Sequence, residues 1–277
     1  MIKQLLGLKQ QYKYKVAICC IVKNEDIYFN EWIDYHVKVG VSHFYIYDNE
    51  SINPVSNVVA NFVKQGLVTV ELIKGTEKQT TAYADCLKKY KNECQWLAFI
   101  DVDEFIVTKT LTGNLPEFLT QYEKYGGLGI NWLVFGSNGH KNKPDGSQTD
   151  SFTRRSLKTH PVNGHIKSIV QTRYVKKPGP DPHQFKYKYL KYCVNENLER
   201  LNGPIVKHTS NKIQLNHYFL RSQEEFRIKV NRGRADYNVP RKMQEFDDTD
   251  KDANYILDES IKEVIILADK IRTKAVN

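Results

Sequence analysis

Asp101 and Asp103 stand one residue apart, directly after the apolar run Trp96-Leu97-Ala98-Phe99-Ile100. In extended backbone, residues two apart project to the same side, so both carboxylates can face one point. A divalent cation would relieve their repulsion. Oxygen ligands and few protein donors suit Mg2+ or Mn2+, which keep positions open for phosphate oxygens. The same pair also reads as a solvated turn, or as Asp103 capping a helix, and an Asp-x-Asp acquires meaning only from its position. Two more polar clusters follow apolar runs in the same way: Lys23-Asn24-Glu25 and Asp48-Asn49-Glu50.

The elements around these clusters alternate. Val16 to Val22 reads as a buried strand. Asn24 is placed as a helix cap, and Phe29, Trp32, Ile33 and His36 follow at helical spacing until Gly40. Val41 to Tyr47 is a second strand, rich in aromatic and β-branched residues. Asn53-Pro54 opens a helix with Val55, Val58, Val59, Phe62 and Val63 on one face and Gly66 at its end. Val68 to Ile73, Thr80 to Lys91 and Trp96 to Ile100 continue as strand, helix and strand. Such alternation implies right-handed crossovers and an α/β fold, a mostly parallel sheet with helices on both faces. Ligands then sit beyond the carboxyl ends of the strands, where all three polar clusters fall.

The second half is less regular. Leu115 to Tyr125 is expected to be helical and Leu128 to Val134 a strand. Gly136 to Asp150 and the three-proline stretch Lys176 to His183 are expected to be loops. Tyr255 to Ile271 is expected to be an amphipathic helix with Ile261, Val264, Ile265 and Ala268 inward. No repeat or long linker appears. The expected division is a basic segment at 1–15, one domain at 16–240 and a C-terminal amphipathic helix region at 241–277.

The 277 residues are 40% hydrophobic and 26% charged, enough apolar content for a sizeable core and unlike a disordered chain. Forty-one Lys and Arg against 32 Asp and Glu leave a net charge of +9, which favours anionic partners without choosing among them. No apolar stretch is long enough for a membrane-spanning helix, and Met1 to Lys15 lacks a signal-peptide core. That basic segment, with Leu5, Leu6 and Leu8, allows weak contact with a membrane surface, although a frayed terminus explains it as well. Five cysteines, with no Cys-x-x-Cys pair, point to a reducing cytoplasm, with the inner membrane surface as a variant of that setting.

In sequence order, several segments resemble glycosyltransferases of the GT-A fold, in the branch joining family 2-like enzymes to family 92. They are Cys20-Ile21-Val22-Lys23-Asn24-Glu25 with Glu31-Trp32-Ile33-Asp34-Tyr35-His36, then Gly40-Val41 with Phe44 to Asn49. Next come Phe99-Ile100-Asp101-Val102-Asp103-Glu104-Phe105 and Asn131-Trp132 with Phe135-Gly136-Ser137-Asn138-Gly139. Asn216-His217-Tyr218, Arg221-Ser222 and Arg232-Gly233 close the series. The resemblance covers roughly residues 16 to 236.

It implies a Rossmann-like single domain that moves a hexose from a uridine-diphosphate sugar to a glycan, such as a lipopolysaccharide, capsule or N-glycan-like acceptor, with inversion. A metal, Mn2+ or Mg2+, would bridge the diphosphate and stabilise the leaving group. By resemblance Asp103 is the direct ligand, Asp101 contacts ribose or metal, and His217 is a further ligand with His183 as its rival. Asn24, Glu25 and Asp48 fall where related folds hold base and ribose, and Gln79 could approach the donor. Ser137 and Asn138 lie in the acceptor-side loop, and Trp132 could stack on a sugar ring or belong to the core. Lys229, Arg232 and Arg234 could face the diphosphate or form a solvated basic helix face. An inverting transfer wants a carboxylate base, for which Asp145, Asp181 and Glu104 are the candidates. The Golgi members of family 92 carry a membrane anchor; the lack of one in this sequence favours a bacterial or viral setting, or a sequence that is a piece of a longer protein.

Rival readings meet specific objections. A sugar nucleotidyltransferase normally needs a Gly-rich phosphate loop, and Val16 to Glu25 holds no glycine. A nucleic-acid binder lacks any recognition signature in its dispersed basic residues, so no nucleic-acid partner is expected. A catalytically silent GT-A-like binding protein remains open from sequence, against the retention of both carboxylates and the Asn-His-Tyr segment.

Overall fold

The computed structural model describes residues 11–233 and 239–276. Among the described residues the strands are β1 (Tyr14–Val22), β2 (His43–Asp48), β3 (Val68–Leu72), β4 (Cys94–Phe99), β5 (Glu104–Thr108), β6 (Gly127–Val134), β7 (Arg154–Arg155), β8 (Ile166–Gln171), β9 (Val175–Pro178), β10 (Phe185–Tyr187), β11 (Cys193–Val194), β12 (Ile213–His217) and β13 (Ile256–Leu257). The helices are α1 (Phe29–Lys38), α2 (Val55–Val58), α3 (Ala60–Lys64), α4 (Gln79–Tyr90), α5 (Leu115–Phe118), α6 (Gln148–Ser151), α7 (Gln223–Arg232), α8 (Met243–Asp250) and α9 (Ser260–Val276). The main sheet has the order β3-β2-β1-β4-β8-β6-β12-β5, with β11 beside β6.

Alternate residues of β1 feed two cores. Val16, Ile18, Cys20 and Val22 pack with Phe29, Trp32 and Ile33 of α1. Ala17, Cys19 and Ile21 pack with Ala82, Tyr83, Cys86 and Leu87 of α4. Burial on both faces is why β1 reads as a continuous apolar run rather than an alternating one. The expected class therefore holds: α/β, a mostly parallel sheet, helices on both faces. The segment after residue 240 packs into the same molecule, with Ile261, Val264 and Ala268 of α9 buried and β13 paired with β7.

Strand direction gathers the site. β4 is parallel to β1, and β8 is antiparallel to both β4 and β6. β12 is parallel to β6. The carboxyl ends of β1, β4, β6 and β12 and the amino end of β8 therefore share one edge. The chain crosses that edge through Asp101-Val102-Asp103 before β5 pairs antiparallel with β12 at the far side.

Several local expectations change. Asn24 is not a helix cap: it adopts φ 51° and accepts Ile52 N at 2.8 Å, and α1 begins only at Phe29. The helix after Pro54 breaks into α2 and α3. Leu115 to Tyr125 is one helical turn followed by a 3-10 turn at Leu119–Tyr122. Lys176 to His183 is half strand, because β9 pairs with β10 in a hairpin. Tyr255 precedes β13, and the terminal helix starts at Ser260. Strands β5, β8 and β12 carry no expectation above; each is only five or six residues long with polar residues inside or at its ends, so none stands out as an apolar run.

Candidate functional site

The shared edge opens into a cleft. It is lined by Ile21 to Lys23 and Glu25 after β1, Asn49 after β2, Gln79 at the start of α4, and Asp101 to Asp103. Trp132 of β6, Lys167 of β8, Pro182 and His183 of the hairpin turn, and His217 of β12 complete the middle. Lys229 and Arg232 of α7, with Phe219 and Arg241, form the remaining wall.

Asp103 is a buried acid of this lining, 8% exposed. Its Oδ2 accepts from Lys229 Nζ at 2.5 Å, and its Oδ1 lies 3.7 Å from His217 Nε2. Burial alone would raise its pKa; Lys229, His217 and Arg221 more than reverse this and hold it well below the carboxylate range. Burial pushes His217 down to about 3, so its imidazole is neutral and free to donate a lone pair. Two donors on an octahedral ion with bonds of about 2.1 Å stand about 3 Å apart, so the 3.7 Å here would have to close by about 0.7 Å around an ion. If a divalent ion binds here, this carboxylate and this neutral imidazole are the two groups that would hold it.

Asp101 does not join them. Its Oδ1 accepts from Gln79 Nε2 at 2.9 Å and its Oδ2 from Lys167 Nζ at 2.7 Å. Among the described residues no group of three or more His, Cys, Asp and Glu is placed to hold a metal ion. The three-ligand set Asp101, Asp103 and His217 is thus reduced to a pair.

Lys167 is 1% exposed and was not singled out from the sequence. The available signal was a lysine among the β-branched residues Ile166, Ile169 and Val170. Burial lowers its pKa, but Asp101 and Glu104 raise it further, so it stays charged. Glu104 lies behind the cleft, 0% exposed, accepting Trp132 Nε1 at 2.6 Å and Asp101 N at 2.9 Å. Burial raises its pKa well above normal against Lys167. It orders the loop and does not face the cleft.

Other candidates divide sharply. Glu25 lines the cleft, bound to Arg221 at 2.8 Å and to Arg232. Burial would raise its pKa, yet Arg221, Arg232 and Lys229 bring it to about 2. Lys229 and Arg232 are cleft residues and not a solvated face; Arg234 lies outside the described residues, as do residues 1–10 of the basic N-terminal segment. Asp48 accepts Ser51 N and Val55 N, fastening the turn into α2, while its neighbour Asn49 reaches the cleft.

Ser137 and Asn138 also prove structural. Ser137 Oγ and N donate to Asp250 at 2.8 and 2.7 Å, and Asn138 bonds Asn254 and Thr153. Trp132 stacks against His165 at 4.9 Å and lies 4.4 Å from the His217 ring, so imidazoles take the ring surface a sugar would need.

Asp145 is exposed in its loop and is not a cleft residue. Asp181 accepts His183 N and Gln184 Nε2, which fixes the turn. The residue it fixes is His183. Nδ1 of His183 lies 2.8 Å from the carbonyl of Ile166, which can only accept, so Nδ1 carries the proton. Nε2 keeps its lone pair and has no hydrogen-bond partner among the described residues. Burial and then Lys167 lower the pKa to about 4, keeping the ring neutral.

The family model described as glycosyltransferase family 92 matches residues 12–248. The chain belongs to glycosyltransferase family 92. A family 92 protein of Ricinus communis is 27% identical over 156 residues, 54% of this chain and 28% of that protein. A galactan β-1,4-galactosyltransferase of Arabidopsis thaliana, GALS2, is 30% identical over 138 residues, 43% of this chain and 26% of its own. Matches of this family 92 chain thus span about a quarter of the length of these relatives. A crystal structure of S. aureus TarS 1–349 aligns with 74% of the chain and 60% of its own, at 14% identity and a TM-score of 0.43.

Proposed function

We propose that this family 92 chain transfers a hexose from a uridine-diphosphate sugar to a hydroxyl of a glycan acceptor, with inversion, assisted by Mn2+ or Mg2+. The observation that carries the reading is the meeting of Asp103, neutral His217, Lys229 and Arg232 in one cleft at the sheet edge. When bound, the metal would supply Lewis-acid stabilisation of the diphosphate leaving group. Asp103 and His217 would hold it, and Lys229 and Arg232 would add positive charge beside the diphosphate. Glu25, Asn49 and Gln79 border the nucleoside side, and Lys167 keeps Asp101 oriented. His183 Nε2 takes the proton of the attacking hydroxyl, replacing the carboxylate expected from sequence. Galactose is the hexose we favour, from the named activity of the Arabidopsis relatives. The acceptor stays at the level of a lipopolysaccharide, capsule or N-glycan-like glycan.

No described helix is long and apolar enough to cross a membrane. All five cysteines are free, which supports a reducing, cytoplasmic setting. Calorimetric titration of UDP in the presence of Mn2+ and then of chelator tests the reading. Metal-dependent binding, followed by donor identification in a UDP-sugar panel, supports it. Absence of UDP binding under both conditions overturns it in favour of a silent binding protein or another nucleotide.

A further inference from the structure

The hairpin β9–β10 carries a charge pattern that the cleft does not use. From Arg173 to Lys191 the chain holds Arg173, Lys176, Lys177, Lys186, Lys188 and Lys191 against a single acid, Asp181. Asp181 is engaged by His183 N and Gln184 Nε2 and pairs with no lysine. Lys177 stands directly opposite Lys186 across the two strands, and both are exposed. Like charges facing each other in an antiparallel pair weaken it. Among the described residues, Lys176, Lys177, Lys186 and Lys188 have no ion-pair or side-chain hydrogen-bond partner. The isolated hairpin is therefore electrostatically frustrated, and an anionic surface would relieve it.

The segment just after β10 adds an apolar element. Tyr189 and Leu190 are 70% and 97% exposed. Both adopt left-handed backbone, at φ 54° and 55°, a region large side chains avoid. The bend is held on each side. Lys188 N donates to Tyr174 O at 2.7 Å, Lys191 N to Lys188 O at 3.0 Å, and Lys191 Nζ to Lys124 O at 2.6 Å. Two strained apolar residues are thus displayed by a closed turn beside unpaired lysines.

We infer that this face docks on an anionic lipid surface. Lys176, Lys177, Lys186 and Lys188 meet the headgroups while Tyr189 and Leu190 enter the interfacial layer. A soluble polyanion would satisfy the lysines but would leave Leu190 in water, so the apolar tip selects the lipid. The other end of the same hairpin supplies Pro182 and His183 to the cleft, which ties the docked face to the site.

Co-sedimentation of the full chain with vesicles tests this, using phosphatidylcholine alone and with about 30% phosphatidylserine at about 0.1 M salt. Binding to the anionic vesicles and none to the neutral ones is expected. Each near-surface lysine contributes about fivefold, so Lys177→Gln with Lys186→Gln lowers partitioning about 25-fold. Leu190→Ser lowers it several-fold, with circular dichroism and UDP binding as folding controls. No binding to anionic vesicles overturns the inference. So does wild-type partitioning of both variants, which would move the contact elsewhere, as to the basic N-terminus. Retention on a polyanionic glycan without vesicle binding also overturns it and gives the face to a glycan.

Discussion

His217 Nε2 lies 3.7 Å from Asp103 Oδ1, joining the last residue of β12 to the loop that follows β4. Their meeting follows from strand direction, since both strands end at one edge. Asp103→Asn and His217→Ala should each weaken Mn2+-dependent UDP binding at least about tenfold while the protein stays folded. Calorimetry checks this, and unchanged Mn2+ affinity in both variants would remove the pair from the metal.

Glu25 sits between Arg221 and Arg232, and its pKa falls from 4.5 to about 2. A depressed carboxylate stabilises the fold above its unfolded pKa, and this contribution is lost as pH falls through the folded value. The shift corresponds to roughly 3 kcal/mol. Denaturant melts should show stability falling between pH 4.5 and about 2. Glu25→Gln should be less stable at neutral pH and flatter across that window. An equally steep profile in the variant would assign the acid sensitivity to other groups.

His183 lines the cleft, and its Nδ1 is committed to Ile166 O, which leaves the Nε2 lone pair unused. His183→Ala should cut transfer about 10²- to 10⁴-fold, the range for loss of a general base, with UDP affinity within about twofold of wild type. Single-turnover kinetics with matched UDP binding decide it. A variant that transfers at the wild-type rate would return the base to a carboxylate.

Ser137 donates twice to Asp250 and thereby fastens the 136–139 loop to α8. Removing the hydroxyl bond in Ser137→Ala should cost about 1.5–3 kcal/mol, the range for hydrogen bonds to charged groups. The acceptor KM should not change. A raised acceptor KM at unchanged stability would restore the residue to the acceptor site.

The sequence by itself determined the first half. Periodicity placed β1 to β4 with their helices, because doubly buried strands are apolar throughout and amphipathic helices repeat every three to four residues. It also placed Asp101 and Asp103 at a strand end, since their position depends only on neighbours in the chain. Only the tertiary structure decided their partners. Lys229 reaches Asp103 from 126 residues away and Lys167 reaches Asp101 from 66, and no local pattern encodes pairings at such distances. The same holds for Ser137 and Asn138, whereas Asp48 is taken by backbone N–H groups only three and seven residues on. Their side chains are polar, near the cleft in sequence order, and chemically suited to sugars. Backbone N–H groups and distant carboxylates claimed them, because buried polar groups must find partners and the fold had placed those partners closer.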